Sequence, residues 1–220
     1  MNAYTLRRLS GLAAIAAGPL CILGGLLHPI KDGQAHNVEA LVGPHAFGSM
    51  ALLLGTVLLL LGLPGTYGWL GPRLGTLGLI GFVLYFTGNV LSTIPHLVVM
   101  GFAASDMAHH HPDMISEKDV IIGAPGFEAE QIASGLALVL GLLIFGIALL
   151  RARGGVPRWL GWTGVAGAVL QLAPLRAMPV VSGLQIELLR GALLIGLGLL
   201  AIRSSREESA AALVPEPAAV

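Results

Sequence analysis

Residues 131–150 read QIASGLALVLGLLIFGIALL, a run of 20 uncharged residues that lies between Glu130 and Arg151. An α-helix needs about 20 apolar residues to cross the roughly 30 Å hydrocarbon core of a bilayer. Five further stretches of low charge accompany this one, although the last of them contains Glu187 and Arg190. The sequence therefore predicts an all-α integral membrane protein, a bundle of six transmembrane helices. The predicted spans lie at about 9–30, 44–63, 74–100, 130–150, 158–176 and 180–202.

The composition of the whole chain agrees with this class. Of the 220 residues, 55% are hydrophobic and 11% are charged, and the mean hydropathy is +0.83. Soluble domains carry roughly 25% charged residues, so this chain cannot cover a water-facing surface. Its 12 basic and 12 acidic residues leave no net basic field for nucleic acid. Cys21 is the only cysteine, which excludes an intrachain disulfide and a cysteine metal cluster.

Two segments of the chain echo each other at an offset of 85 residues. GPRLGTLGLIG at 71–81 and VPRWLGWTGVAG at 156–167 both place a Pro-Arg pair before a glycine-rich apolar run. This similarity indicates either two related helical hairpins within the bundle or two independent occurrences of the same local arrangement. In that arrangement proline starts a helix and arginine anchors its inner end.

Basic residues are divided unequally between the two predicted sides of the membrane. If the N-terminus is inside, eight arginines lie on the inner side and four basic residues on the outer side. Cytoplasmic loops carry an excess of Lys and Arg, so both termini are predicted to be cytoplasmic in the plasma membrane. Residues 1–203 are predicted to form the membrane domain, and residues 204–220 a disordered cytoplasmic tail.

Polar residues that interrupt the apolar spans fall near one predicted side. Counted at about 1.5 Å per residue from the inner arginines, Asn89, Gln171 and Arg190 reach the outer third of the bilayer. Hydroxyls such as Thr56 are interpreted as inner-half groups that bond their own helix. Polar groups inside a span are costly and often mark binding, although Glu187 and Arg190 can simply neutralise each other. The sequence predicts a ligand pocket in the outer leaflet formed by Asn89, Gln131, Gln171, Glu187 and Arg190.

Three histidines stand next to prolines at predicted outer span ends, in His28-Pro29, Pro44-His45 and Pro95-His96. Neutral imidazole is the commonest protein ligand for metals. His28, His45 and His96 are therefore predicted to converge, where they could hold a divalent metal or a haem. The alternative interpretation is that each is a partly solvated side chain at the membrane–water interface. No short metal-binding motif supports the first interpretation.

An outer loop is predicted at about 105–127, and it contains AHHHPDMISEKD at 108–119. Its three consecutive histidines cannot all face one ion on a regular element. The segment is interpreted as a solvated loop that could capture a metal loosely and cover the predicted pocket.

GPLCILGGLLHP at 18–29, residues 44–81 and GGVPRWLGWTGVAGAV at 154–169 together resemble a broad group of small polytopic bacterial membrane proteins of unknown function. Many of those proteins have a span ending in His-Pro and inner hairpins with Pro-Arg-Leu-Gly or Pro-Arg-Trp-Leu. The resemblance covers most of the chain. It implies a six-span bundle in a bacterial inner membrane, and it implies no activity or catalytic residue.

Three kinds of function fit these features. The favoured one is binding or sensing of a small amphipathic or lipid-like molecule by the outer pocket, with the lipid bilayer as surroundings. One alternative is an accessory or structural subunit whose polar outer face docks a membrane protein partner. The other is a membrane enzyme that uses the three histidines with a metal or haem. The sequence assigns no catalytic residue, so a non-enzymatic role is favoured.

Overall fold

The computed structural model describes residues 3–28, 37–115, 125–172 and 181–212, and all regular structure in these ranges is helical. Four helices among them are long and apolar enough to cross a membrane. The prediction of an all-α membrane protein is confirmed at this level. The four candidate spans are Ala3–Leu26, Ala46–His110, Pro125–Arg151 and Gly183–Arg206.

The helices follow one another with few breaks. Two π-helical turns, Asn89–Thr93 and Val99–Ala104, join α3 to α4 and α4 to α5, and a 3₁₀ turn at Pro112–Met114 follows α5. The α-helices are α1 (Ala3–Leu26), α2 (Val38–Val42), α3 (His45–Gly88), α4 (Ile94–Val98), α5 (Ser105–His110), α6 (Pro125–Arg151), α7 (Arg158–Gln171) and α8 (Val181–Ala212).

Helix α3 reverses direction at Gly75, whose φ of 62° and ψ of −163° are not helical. The rings of Tyr67 and Phe82 stack with their centroids 4.3 Å apart. In a straight helix, residues separated by 15 positions would lie about 22 Å apart along the axis. The long candidate span is therefore a helical hairpin. Its first arm is residues 45–74, and its second arm, residues 76–110, continues through α4 and α5.

The position of this reversal differs from the predicted one. The stretch PGTYGWLGPR at 64–73 is helical, with Pro64 and Pro72 inside α3. Each proline removes one backbone donor, but the rest of this stretch keeps its helical conformation. The helix therefore continues to Gly75, because glycine alone adopts this backbone conformation at little cost.

Glycines set close antiparallel contacts between neighbouring helices. A Cβ on Gly55 of the first arm would lie 2.9 Å from Cys21 Sγ of α1, and one on Gly25 would lie 2.7 Å from the Gly183 carbonyl oxygen of α8. A Cβ on Gly146 of α6 would lie 2.7 Å from Val165 N of α7. Such small residues let helix backbones approach each other in membrane proteins.

The helices close into a ring. The second arm packs on α6, α6 on α7, α7 on α8, α8 on α1 and α1 on the first arm, which returns to the second arm through Tyr67 and Phe82. Side chains of six helical segments thus point to one central axis. The buried apolar side chains along it include Leu59, Phe145 and Leu197.

The two ends of this ring differ in their residues. Nine cations lie in the described ranges, and all except Arg190 lie at one end, which we call the arginine end. There the Arg7 and Arg73 guanidinium groups lie 5.6 Å and 4.4 Å from the Trp69 ring centroid. The opposite end, which carries His28, Ser49 and His96, is called the histidine end. The arginine end comprises Arg7, Arg8, Arg73, Arg151, Arg153, Arg158, Arg203 and Arg206.

Helix α2 lies at the histidine end against the second arm. The Asn37 side chain caps α2 by accepting a hydrogen bond of 2.9 Å from Ala40 N. The Ser105 hydroxyl donates a hydrogen bond of 3.0 Å to the Leu41 carbonyl, and Leu41 packs with Ala104 and Ala108. Residues 105–110 of the predicted outer loop are therefore helical, because packing against α2 extends the second arm. Residues 116–124 of that loop lie outside the described ranges.

Other boundaries also differ from the predicted ones. Helix α8 continues to Ala212 and so includes the first part of the predicted tail. Polar residues such as Ser204 and Ser205 stay helical by donating their hydroxyls to carbonyls one turn earlier. Helix α7 has 14 residues and ends at Gln171. The predicted boundary between the fifth and sixth spans, at residues 176–180, lies outside the described ranges.

Candidate functional site

The guanidinium of Arg190 joins three helical segments near the middle of the ring. It forms an ion pair of 2.9 Å with Glu187 one turn earlier on α8. Its Nη2 donates to Asn89 Oδ1 of the second arm at 2.6 Å and to Thr56 Oγ1 of the first arm at 3.2 Å. Arg190 is 3% exposed, Glu187 6% and Asn89 0%. We call this group, with Cys21 and Tyr85 described next, the polar centre.

Two further side chains complete the polar centre. The Cys21 thiol of α1 lies beside the Glu187 carboxylate, and the Tyr85 hydroxyl lies beside the Arg190 guanidinium. Both side chains are buried. Gly25 makes room for Glu187, because a Cβ at that position would lie 2.8 Å from Glu187 Cβ. The polar centre thus receives side chains from α1, both arms of the hairpin and α8.

Three atoms of the polar centre make no hydrogen bond of standard geometry, although the Tyr85 hydroxyl lies beside Arg190 and the Glu187 carboxylate lies beside Cys21. They are Tyr85 Oη, Glu187 Oε2 and Arg190 Nε, and each is inaccessible to solvent. A buried polar group without a partner costs about 1–3 kcal/mol, and more if the group is charged. Few such groups occur in native proteins, so three in one place distinguish the polar centre from the rest of the buried core.

A π-helical turn starts at Asn89 and explains how this residue faces Arg190. Pro95 follows one turn later and has no N–H, so the helical hydrogen-bond pattern before it must change. The wider π turn makes that change, and such turns are frequent at functional sites. Asn89 Nδ2 donates 2.7 Å to the Tyr85 carbonyl, which fixes the amide with Oδ1 toward Arg190.

The structure brings together three of the five predicted pocket residues, Asn89, Glu187 and Arg190. Gln131 instead donates a hydrogen bond of 2.7 Å to its neighbour Glu130 near the start of α6. Gln171 stands at the end of α7, and its buried Nε2 has no partner among the described residues. The Leu170 carbonyl nearby accepts a hydrogen bond from Gln185. The pocket of five residues is therefore not assembled as one group in the described part of the chain.

Sequence reasoning missed Thr56, Tyr85 and Cys21 as members of this site. The sequence predicted that Thr56 bonds its own helix. In the structure Thr56 Oγ1 instead accepts a hydrogen bond from Arg190. One signal was present in the chain: Ser49 and Thr56 are seven residues apart in an apolar span and so share a helix face. Tyr85 gives no such signal, because a buried tyrosine in a span is usually a packing residue.

Two of the three predicted rim histidines meet. The His28 and His96 rings stack with centroids 6.5 Å apart and planes 13° from parallel. His45 begins α3, but its side chain is outside what the structure describes. The structure thus brings together two of the three predicted ligands, and the metal or haem site stays a prediction. Among the described residues no group of three metal-ligating side chains occurs.

The histidines of α5 bind to their own helix. His109 Nδ1 lies 2.8 Å from the Ser105 carbonyl, and His110 Nδ1 lies 3.1 Å from the Asp106 carbonyl. The exposed Asp106 carboxylate is also 3.2 Å from His110. An open surface depression of about 700 Å³ lies beside these side chains. Since the side chains are solvated and occupied locally, this depression is a weaker candidate than the polar centre.

No family model matches this chain, and no curated protein or solved structure shows significant similarity to it.

Proposed function

We propose that this protein binds the polar head group of a small amphipathic molecule at the polar centre. The molecule would reach the centre from the histidine end. The protein would act in the membrane as a sensor or a binding protein for this molecule. The observation that carries this proposal is the set of three buried atoms without partners, Tyr85 Oη, Glu187 Oε2 and Arg190 Nε.

These three atoms define the chemistry of the ligand. The Arg190 Nε–H donates, Glu187 Oε2 accepts, and the Tyr85 hydroxyl does either. Since Glu187 and Arg190 already neutralise each other at 2.9 Å, a charged head group would add an uncompensated buried charge. An uncharged group that both donates and accepts, such as an alcohol hydroxyl, satisfies the atoms without that cost.

We further propose that the six helical segments are six spans, with both termini cytoplasmic in a bacterial plasma membrane. The eight cations at the arginine end support this orientation, because cytoplasmic ends carry the excess of basic residues. Helix α7 extends about 21 Å at 1.5 Å per residue, which is most of the hydrocarbon thickness. The histidine end then faces outward.

The proposal is tested by thermal unfolding of the detergent-purified protein with dodecanol and with dodecane. A ligand at 100 times its Kd stabilises the folded state by about 2.7 kcal/mol. We expect dodecanol to raise the midpoint and dodecane, which lacks the hydroxyl, to leave it unchanged. Arg190→Leu should abolish the dodecanol effect.

Arg203→Leu is the matched control, because it removes an exposed arginine from the same helix far from the polar centre. This variant should respond to dodecanol like the unaltered protein. Equal stabilisation by dodecane, or an unchanged response of the Arg190→Leu variant, would contradict binding of a head group at the polar centre.

A further inference from the structure

Arg73 lies where two turns of the chain meet at the arginine end. It stands two residues before Gly75, at which α3 reverses direction. A Cβ on Gly154, in the turn at 152–157 between α6 and α7, would lie 3.5 Å from Arg73 Nε. Arg153 directly precedes Gly154 in that turn, so the contact brings the arginines of two separate turns together.

Two contacts with Trp69 fix the Arg73 guanidinium. Its Nη1 donates a hydrogen bond of 3.0 Å to the Trp69 carbonyl one turn earlier, and its central carbon lies 4.4 Å from the centroid of the Trp69 ring. A guanidinium has five N–H donors, and stacking on a ring leaves most of them for another partner. Because Arg73 is exposed, the donors that Trp69 does not occupy are accessible from outside the protein.

No described carboxylate balances the charge of Arg73, which makes no ion pair with a residue of the described ranges. The Arg7 guanidinium adds a second positive charge 5.6 Å from the same Trp69 ring centroid. In the described helices the acidic residues at this end are Glu207 and Glu208, in the last turns of α8. We call Arg73, Trp69, Arg7 and the turn at 152–157 the Arg73 site.

The Arg73 site lies at the level of a lipid head group. Tryptophan rings are enriched at the interface between membrane and water, and Trp69 is partly exposed there. Toward the histidine end both arms of the hairpin have exposed apolar side chains, among them Leu61 two turns before Trp69 and Leu79 one turn after Gly75. A lipid whose acyl chains lie along these side chains has its head group beside Arg73.

We propose that the Arg73 site binds the head group of an anionic phospholipid in the leaflet at the arginine end. Arginine forms paired hydrogen bonds with phosphate oxygens, and basic pockets between membrane helices bind anionic head groups. A phosphatidylcholine head group carries its own cation and gains less from this site. The lipid site and the ligand proposed for the polar centre are independent, because that ligand enters from the histidine end.

Fluorescence quenching tests the Arg73 site locally, because Trp69 is part of it. The chain has three tryptophans, and the substitutions Trp159→Phe and Trp162→Phe leave Trp69 alone. This protein is reconstituted into phosphatidylcholine vesicles with a rising fraction of a phospholipid whose brominated acyl chains quench an adjacent indole. Brominated phosphatidylglycerol is compared with brominated phosphatidylcholine.

We expect quenching of Trp69 to be half complete at a mole fraction about fivefold lower for brominated phosphatidylglycerol, since one basic residue near an anionic lipid contributes about 1 kcal/mol. Arg73→Gln should remove most of this difference. Equal quenching by the two lipids before that substitution would overturn the proposal.

Arg206→Gln is the matched control, because it removes an exposed arginine from α8 at the same end. This variant should keep the preference for phosphatidylglycerol. An equal loss of preference in Arg73→Gln and Arg206→Gln would show that the lipid responds only to the net charge of this end, and the site would then be wrong.

A pair of substitutions at Gly154 separates charge from shape. Gly154 has a φ of 79°, and Asp and Asn adopt such a conformation more readily than other side chains. In Gly154→Asp a carboxylate lies within reach of Arg73 and takes the place of the lipid phosphate, whereas Gly154→Asn has the same shape without the charge. We expect Gly154→Asp to lose the preference and Gly154→Asn to keep it. Full preference in Gly154→Asp would contradict the site.

Inorganic phosphate distinguishes a lipid site from a site for soluble anions. Added to the vesicles at constant ionic strength, it should leave the quenching by brominated phosphatidylglycerol unchanged. Recovery of the Trp69 fluorescence would assign Arg73 to a soluble phosphate and overturn the lipid as its ligand. Arg73→Gln should also respond to dodecanol like the unaltered protein, so the failure of one proposal leaves the other testable.

Discussion

Arg190 and Glu187 stabilise the bundle as a pair, because each cancels a charge that would otherwise be buried alone. Breaking a buried pair by removing one partner costs about 3–5 kcal/mol, much of it from the unpaired charge that stays behind. The same Arg190 side chain holds Asn89 and Thr56, so the pair also connects α8 to both arms of the hairpin.

Arg190→Leu should therefore lower the free energy of unfolding by about 3 kcal/mol. The double variant Glu187→Gln, Arg190→Leu leaves no unpaired charge and should recover about 2 kcal/mol of that loss, because neighbours in one network are not additive. Unfolding in a series of denaturing detergent mixtures measures the free energies of unfolding of the unaltered protein, the two single variants and the double variant. A double variant as unstable as Arg190→Leu would argue against coupling between the two side chains.

Substitution of Tyr85 distinguishes two effects of its hydroxyl: the free energy that it costs when it is buried without a ligand, and the stabilisation that it gives when a ligand is bound. Its hydroxyl is buried without a partner, so Tyr85→Phe should stabilise the ligand-free protein by about 1 kcal/mol. The same variant should weaken the stabilisation by dodecanol. Thermal unfolding with and without dodecanol measures both effects.

Tyr67→Phe is the control for this variant, because Tyr67 stacks on Phe82 outside the polar centre. It should change neither the ligand-free stability nor the response to dodecanol by more than a small fraction of the Tyr85→Phe effect. Loss of ligand-free stability in Tyr85→Phe would show that the hydroxyl already has a partner.

At the scale of single residues, the sequence pointed to part of the site. Asn89, Glu187 and Arg190 could be selected because polar groups in apolar spans are rare and costly. Thr56 and Tyr85 could not, because a threonine can bond its own helix and a tyrosine can pack as an apolar ring. Which of them faces the axis depends on helix rotation, and the evenly apolar spans of this chain do not define that rotation.

At the scale of elements, Gly75 decides that α3 is a hairpin. Its φ of 62° with ψ near −163° belongs to a region that is essentially restricted to glycine. No atom lies within 4 Å of the position that a Cβ would take, so a substitution there tests backbone conformation alone.

Gly75→Ala should destabilise the protein by about 1–3 kcal/mol. Gly68→Ala is the matched control, since Gly68 also has open space around it but lies in a regular helical turn. Alanine is favoured over glycine in a helix by about 1 kcal/mol, so this variant should be neutral or stabilised. Equal effects of the two substitutions in thermal unfolding would contradict the reversal at Gly75.

The sequence predicted the existence of the long elements better than their connections. Apolar runs between charges located the membrane helices because hydrophobic length is a strong signal. The stretch at 64–73 was expected to turn, since prolines and glycines usually mark turns in water. Here the helix continues through both prolines and the chain reverses at Gly75, where the backbone conformation favours glycine.

At the scale of the whole molecule, the two ends of the ring carry different polar groups. The buried ion pair and Asn89 belong to the polar centre, whereas the side chains buried toward the arginine end include the hydroxyls of Ser10, Thr66 and Ser205. The arginines gather at that end, where Trp69 lies between two of them. This difference is the reason that we expect the proposed ligand to enter from the histidine end.

The central claim is that six segments cross the membrane and present the histidine end outward. Its most direct test is the sidedness of reporter fusions placed after His110 and after Ser205 in cells. We expect opposite sides, with an alkaline phosphatase fusion active after His110 and a fluorescent-protein fusion bright after Ser205. Fusions that report the same side would contradict it, because the number of crossings between these positions would then be even.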